Sequence, residues 1–246
     1  MKKKLSVPND LSEITLGQYQ KFHKLQEQND DPYFVQCKMI EIFCNLDAQA
    51  VRQMKMSDAE RVAKIINDMF EKKPPLMHSF YLESKEFGFI PDLNNISFGE
   101  YIDLDTHISN WDNMHLAMNV LYRPVKDRIQ DKYLIEDYDL DRKDELLEMP
   151  MSAVMGSIFF FVSFRERLVK DYGELFGKGE QGGLDSVSNF SRKYGWFQSI
   201  YALSQGRVER FENITKLDLH QCLYTLTYMK EKQELENRKI KKSFNK

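Results

Sequence analysis

The chain has 246 residues, 42% of them hydrophobic and 30% charged, with a net charge of −3. That length can bury a sizeable core, and that composition excludes a disordered chain. The balance lacks the basic excess of a nucleic-acid binder. The three cysteines, with no Cys-x-x-Cys pair, exclude a disulfide framework and suit a reducing cytoplasm.

Met1–Lys4 is a short basic end, and no apolar leader follows it. The first helix signal is Ile14-Thr15-Leu16-Gly17-Gln18-Tyr19. Thr15 reads as an N-cap and Gln18, at the third helical position, as its reciprocal partner in a capping box. Ile14 precedes the cap as a staple residue, and Tyr19 takes the fourth helical position. Gly17 in the first turn admits another backbone. Leu16, Tyr19, Phe22 and Leu25 continue as one stripe. After a loop at Asn29–Pro32, a second helix carries Met39, Ile42 and Phe43, with Cys37 and Cys44 two turns apart. Ser57 and Glu60 predict a further capping box ahead of Val62, Ile65, Ile66, Met69 and Phe70. Pro74-Pro75 closes this region, and Phe87–Ile90 is the only extended stretch expected.

Ile96-Ser97-Phe98-Gly99-Glu100-Tyr101 then repeats the first signal at an offset of 82 residues. Ser97, Gly99, Glu100 and Tyr101 take the roles of Thr15, Gly17, Gln18 and Tyr19. Met118, Leu121 and Tyr122 echo Met39, Ile42 and Phe43 at an offset of 79, because Asn110–Asn113 replaces the longer first loop. The expectation is a pair of related helix hairpins within residues 1–124, starting near 14 and 96, with Pro124 closing the second. Residues 125–149 read as an acidic linker.

Residues 150–246 read as a C-terminal bundle. Met151–Phe164 is apolar but shorter than the roughly twenty residues that cross a bilayer, so a buried helix opened by Pro150 is expected. Gly177–Gly183 is a glycine-rich loop. Helices are expected at Gly195–Leu203 and Lys216–Lys242, and Ile214-Thr215 reads as an ordinary cap before the second. The fold class is therefore all-α: two helix-hairpin modules, then a helical bundle with a long terminal helix.

Reactive constellations are sparse. Asp137, Asp139, Asp141 and Glu148 match positions 1, 3, 5 and 12 of a calcium loop, but Arg142 stands where the loop requires glycine. His107 and His115 lie near Asp103, Asp105 and Asp112 without a zinc-ligand spacing. Gly177-Lys178-Gly179 lacks the rest of a phosphate loop, and no nucleophile elbow occurs. The aromatic runs at helical spacing read as core. No catalytic, cofactor or metal residues are assigned. Beyond Met229 the last helix turns polar, keeping only Leu235 and Ile240 as apolar positions. A helix that outruns its own core either frays or lies against another chain, and a partner is the expectation here. Lys230, Glu234, Leu235, Arg238 and Ile240 are the expected partner-binding residues.

Two stretches carry a family resemblance. They are "FGFIPDLNNISFGEYIDLDTHISNWDNMHLAMNVLYRP", Phe87–Pro124, and "GWFQSIYALSQGRVERFENITKLDLHQCLYTLTYMKEKQELENR", Gly195–Arg238. Both resemble uncharacterised proteins from the structural gene block of crAss-like, Bacteroidetes-infecting tailed bacteriophages. The resemblance implies a non-enzymatic virion or assembly protein, such as a neck, tail, ring or cargo component. It implies host cytoplasm and then the virion as location. The implied partners are other virion proteins and copies of the chain itself, with no membrane or nucleic acid. A tail-assembly chaperone absent from the finished particle, or a phage regulator binding host protein or nucleic acid, are the alternatives.

Overall fold

The structure, a computed structural model, describes residues 6–176 and 194–244. The expectations for Met1–Lys4 and the Gly177–Gly183 loop lie outside the described residues. The chain divides into two compact units that interleave along the sequence. One comprises Met1–Pro91 and Leu104–Phe161, the other Asp92–Asp103 and Val162–Lys246.

The fold is not all-α. Within the first unit, β1 (Ser79–Leu82), β2 (Lys85–Phe89), β3 (Tyr122–Ile129) and β4 (Lys132–Ile135) form an antiparallel sheet in the order β1-β2-β3-β4. Phe80, Phe87, Phe89 and Tyr122 are buried in it. The two hairpins turn through Glu83-Ser84 and Gln130-Asp131, and Glu83 and Gln130 take positive φ of 52° and 56°. These turns lack the Asn-Gly signature that marks such hairpins in sequence. The extended stretch expected at Phe87–Ile90 falls on β2; the other strands are short, and β3 contains Pro124, so neither alternation nor turn chemistry announced them. Residues 125–149, expected as a linker, hold most of β3, all of β4 and a 3-10 segment, Leu140–Glu148.

The helices of the first unit are α1 (Leu16–Glu27), α2 (Pro32–Phe43), α3 (Ala48–Arg52), α4 (Met56–Phe70) and α6 (Met114–Leu121), the last following α5 (Phe98–His107). Phe22 packs on Phe43 at 5.2 Å, and Ile40, Val62 and Ile66 are buried with them. α4 begins one residue before Ser57. Its N-cap is Lys55, with no side-chain cap bond, so the expected Ser57–Glu60 box does not form there. Ile65 is exposed, whereas Val62, Ile66 and Met69 face inward. α6 ends at Leu121 and Tyr122 opens β3, so the second repeat diverges where Phe43 still belongs to α2.

α7 (Met151–Asp171) and α8 (Gly173–Phe176) follow, then α9 (Trp196–Leu203), α10 (Phe211–Thr215) and α11 (Leu219–Phe244). In the second unit Trp196 lies edge-on to Phe98 at 5.7 Å and to Tyr101 at 5.5 Å.

The repeat is larger than its capping boxes. Asp10-Leu11 and Asp92-Leu93 precede both copies at the same offset of 82. Each Asp carboxylate caps a 3-10 turn two residues on, and each Leu is buried. Both boxes are complete. The Thr15 N–H donates to Gln18 Oε1 at 2.9 Å, and the Gln18 N–H to Thr15 Oγ1 at 3.2 Å. The Ser97 N–H donates to Glu100 Oε2 at 2.8 Å, and the Glu100 N–H to Ser97 Oγ at 3.3 Å.

Each copy is then completed by a distant segment of its own unit. In the first unit the Leu16 N–H donates to the Met149 carbonyl at 2.9 Å, and the Met151 N–H to the Ile14 carbonyl at 2.8 Å. In the second unit the Phe98 N–H donates to the Leu217 carbonyl at 2.8 Å, and the Leu219 N–H to the Ile96 carbonyl at 3.1 Å. The bridging segments repeat at an offset of 68: Leu140-Asp141-Arg142 matches Val208-Glu209-Arg210, Leu146 matches Ile214, and Met151 matches Leu219. Ile214-Thr215 is therefore no ordinary cap; it belongs to the bridge of the second copy.

The two glycines make room for these bridges. A Cβ on Gly17 would stand 3.1 Å from the Leu147 carbonyl oxygen. On Gly99 it would stand 2.9 Å from Thr215 Cβ and 3.0 Å from the Thr215 oxygen. Residues 147 and 215 are again 68 apart.

Candidate functional site

The surface with the clearest capacity to act is α11. Its first turns are anchored in the second unit: Leu219, Cys222, Leu223 and Leu226 are buried. The Tyr172 hydroxyl and the His220 ring share a 2.8 Å hydrogen bond. The Lys230 ammonium reaches the Leu175 carbonyl at 3.5 Å. From Glu231 to Phe244 every residue is exposed. The polar side of this segment is self-satisfied in part, with Arg238 and Glu234 paired across one turn at 3.5 Å.

Of the residues expected to bind a partner, Lys230 is half-buried against the fold, and Glu234, Leu235, Arg238 and Ile240 are exposed. Leu235 and Ile240 do not share a stripe. Five residues at 3.6 per turn put them about 140° apart. Ile240 continues the inner line of Leu226 and Met229. Leu235 belongs with Tyr224 and Tyr228 on the opposite side, where both tyrosines are exposed. Tyr224 and Tyr228 are not among the expected partner-binding residues, because they sit among the core-spaced Leu219, Leu223, Leu226 and Met229. Their signal was the spacing 224, 228, 235, out of phase with 219, 222, 226.

In the other constellations, the acidic run and His115 are engaged in local bonds, while the buried His107 Nδ1 has no hydrogen-bond partner among the described residues. In the acidic run the Asp139 carboxylate caps the Asp141 N–H at 3.0 Å. Arg142 lies 2.7 Å from Glu136 and 3.6 Å from Asp139. Of the four acidic residues of the calcium-loop pattern, Asp139 thus lies beside a guanidinium and Asp137 lies 3.9 Å from the Lys126 ammonium. The His115 ring meets the Gln20 amide at 3.2 Å, and that amide also donates to the Trp111 carbonyl at 2.6 Å. Among the described residues no group of three or more His, Cys, Asp or Glu is placed to hold a metal ion. Burial pushes the Cys44 and Cys222 thiols up to about 11, so both remain protonated at neutral pH. A groove of about 670 Å³ runs between α2 and α4, lined by Met39 and Ala63 among others, and is open to solvent. On its rim Lys64 and Asp68 are paired at 2.9 Å.

No described helix is long and apolar enough to cross a membrane. No family model, curated protein or solved structure matches the chain.

Proposed function

We propose that this chain is a non-enzymatic bacteriophage structural or assembly protein, a subunit that works through protein–protein contacts in the virion. Its partners are other virion proteins, copies of itself included. It uses no cofactor and engages neither membrane nor nucleic acid. Host cytoplasm during assembly and then the particle is its location. The resemblance of Phe87–Pro124 and Gly195–Arg238 to structural-block proteins of crAss-like phages supports this reading.

The observation that carries it is the exposed end of α11, with Leu235 and Ile240 each 53% exposed and Phe244 84% exposed. A polar helical segment this short is marginal in water without tertiary support. Contact with another chain supplies that support and buries the aliphatics, each worth about 1.5–3 kcal/mol by area. Mass spectrometry of purified particles tests the reading: peptides of this chain are expected in stoichiometric amount. A chain needed for assembly but missing from the particle would instead be a tail-assembly chaperone. Deleting Glu231–Lys246 is expected to leave the thermal midpoint nearly unchanged and to abolish incorporation.

A further inference from the structure

α11 has two apolar stripes on opposite sides, and only one belongs to the core. Leu219, Cys222 and Leu226 form the buried one. At 3.6 residues per turn, Tyr224, Tyr228, Glu231, Leu235, Arg238 and Lys242 lie within about 40° of a single line on the other side. Tyr224 is 72% exposed, Tyr228 58% and Leu235 53%. The line keeps alternating spacings of four and three residues, the spacing with which one helix packs along another. It is also polarised: aromatic at its start, cationic at its end, with Leu235 between.

We infer that this stripe pairs with the same stripe of a second copy, antiparallel, in a two-fold interface. The inference rests on the reading of the chain as an assembling subunit and names its first partner. The orientation follows from charge. Laid parallel, two copies would set Arg238 against Arg238, Lys242 against Lys242 and Glu231 against Glu231. Laid antiparallel about Gln233, Tyr228 of each copy meets Arg238 of the other, and Tyr224 meets Lys242. Cations over tyrosine rings attract, and each pairing occurs twice in a two-fold contact. Leu235 of each copy then lies on the methylenes of Glu231 of the other. Tyrosines, apolar in body and polar at the tip, suit a seam that is dry inside and wet at its edges. The seam from Tyr224 to Lys242 is about 27 Å long.

Sedimentation of the full chain across a concentration series tests this. A reversible dimer is expected. The double variant Tyr228→Ala/Leu235→Ala is expected to raise its Kd by roughly 30-fold or more, since truncated interface anchors commonly cost that much. Its thermal midpoint at low concentration should match that of the parent, because both side chains are exposed in the monomer. Orientation is read by disulfide trapping in a Cys37→Ser background. Mixing Tyr228→Cys with Arg238→Cys should give the mixed disulfide, and Tyr228→Cys alone should give none. A self-disulfide of Tyr228→Cys, or a dimer indifferent to the double variant, would overturn the antiparallel seam. A chain that stays monomeric throughout would overturn self-pairing altogether. Stoichiometric peptides in the particle would then leave the assembly reading standing, so the two failures are separable.

Discussion

The two cap-and-bridge modules use one set of backbone bonds and fill it differently. In the first, Gln18 does more than close its capping box. Its amide also donates to the Ile42 carbonyl at 2.9 Å and to Asn45 at 3.2 Å, tying the start of α1 to the end of α2. In the second, Glu100 closes the box with a carboxylate, which can only accept. Tyr19 remains half-buried, tilted against Trp111 at 4.5 Å and Phe70 at 5.2 Å. Tyr101 is 1% exposed and meets Trp196 edge-on. The glycine contact is tighter in the second copy. The lesson is that the cap, the glycine and the bridge form the invariant device, and the ring at the fourth position adapts to whatever core surrounds it.

The comparison breaks most visibly at the residue after each cap, which is fully buried in both copies. Phe98→Ala should lower unfolding free energy by about 4 kcal/mol and Leu16→Ala by about 3, read by denaturant titration. Equal small losses would mean that the bridges pack loosely. Next come the glycines. Gly99→Ala should cost about 2.5 kcal/mol and Gly17→Ala about 1, because only the Thr215 contact falls below 3 Å. The reverse order in thermal unfolding would show that the Leu147 segment is the stiffer bridge. A third pair sharpens the chemistry of the boxes. Gln18→Glu removes the donor to Ile42 and should cost about 1.5 kcal/mol, while Glu100→Gln keeps its acceptor and should cost about 0.5 or less. Most alike are the caps themselves: Thr15→Ala and Ser97→Ala should each cost about 1 kcal/mol, with no difference between the two copies.

What was legible in the chain follows from how local each interaction is. A capping box needs a hydroxyl and a Glu or Gln three residues apart, so both boxes stand out in the sequence alone. Gly17 and Gly99 announced a close backbone but not whose, because the neighbours at Leu147 and Thr215 contribute carbonyl oxygens that any residue carries. The bridging segments left a weaker trace, the match of Leu140-Asp141-Arg142 to Val208-Glu209-Arg210, too short to stand out between an acidic stretch and the Ile214-Thr215 cap signal. Of the sheet only β2 was legible, as the extended stretch at Phe87–Ile90, and its partners were hidden for a different reason. Its positive-φ turns use Glu83 and Gln130, and Gly88 and Pro124 dilute the strand signal of β2 and β3. On α11 the polar end was plain, but Tyr224 and Tyr228 were hidden among core-spaced neighbours on a helix that is apolar on two sides.

On the proposed reading the paired modules need no partner to stay folded, while the end of α11 is left for another chain. Backbone amide hydrogen exchange tests both halves in one experiment. Strong protection of the Leu16, Met151, Phe98 and Leu219 amides is expected at every protein concentration, and protection of residues 231–244 only as copies associate. Rapid exchange at the four bridge amides, or full protection of 231–244 in the dilute monomer, would contradict it.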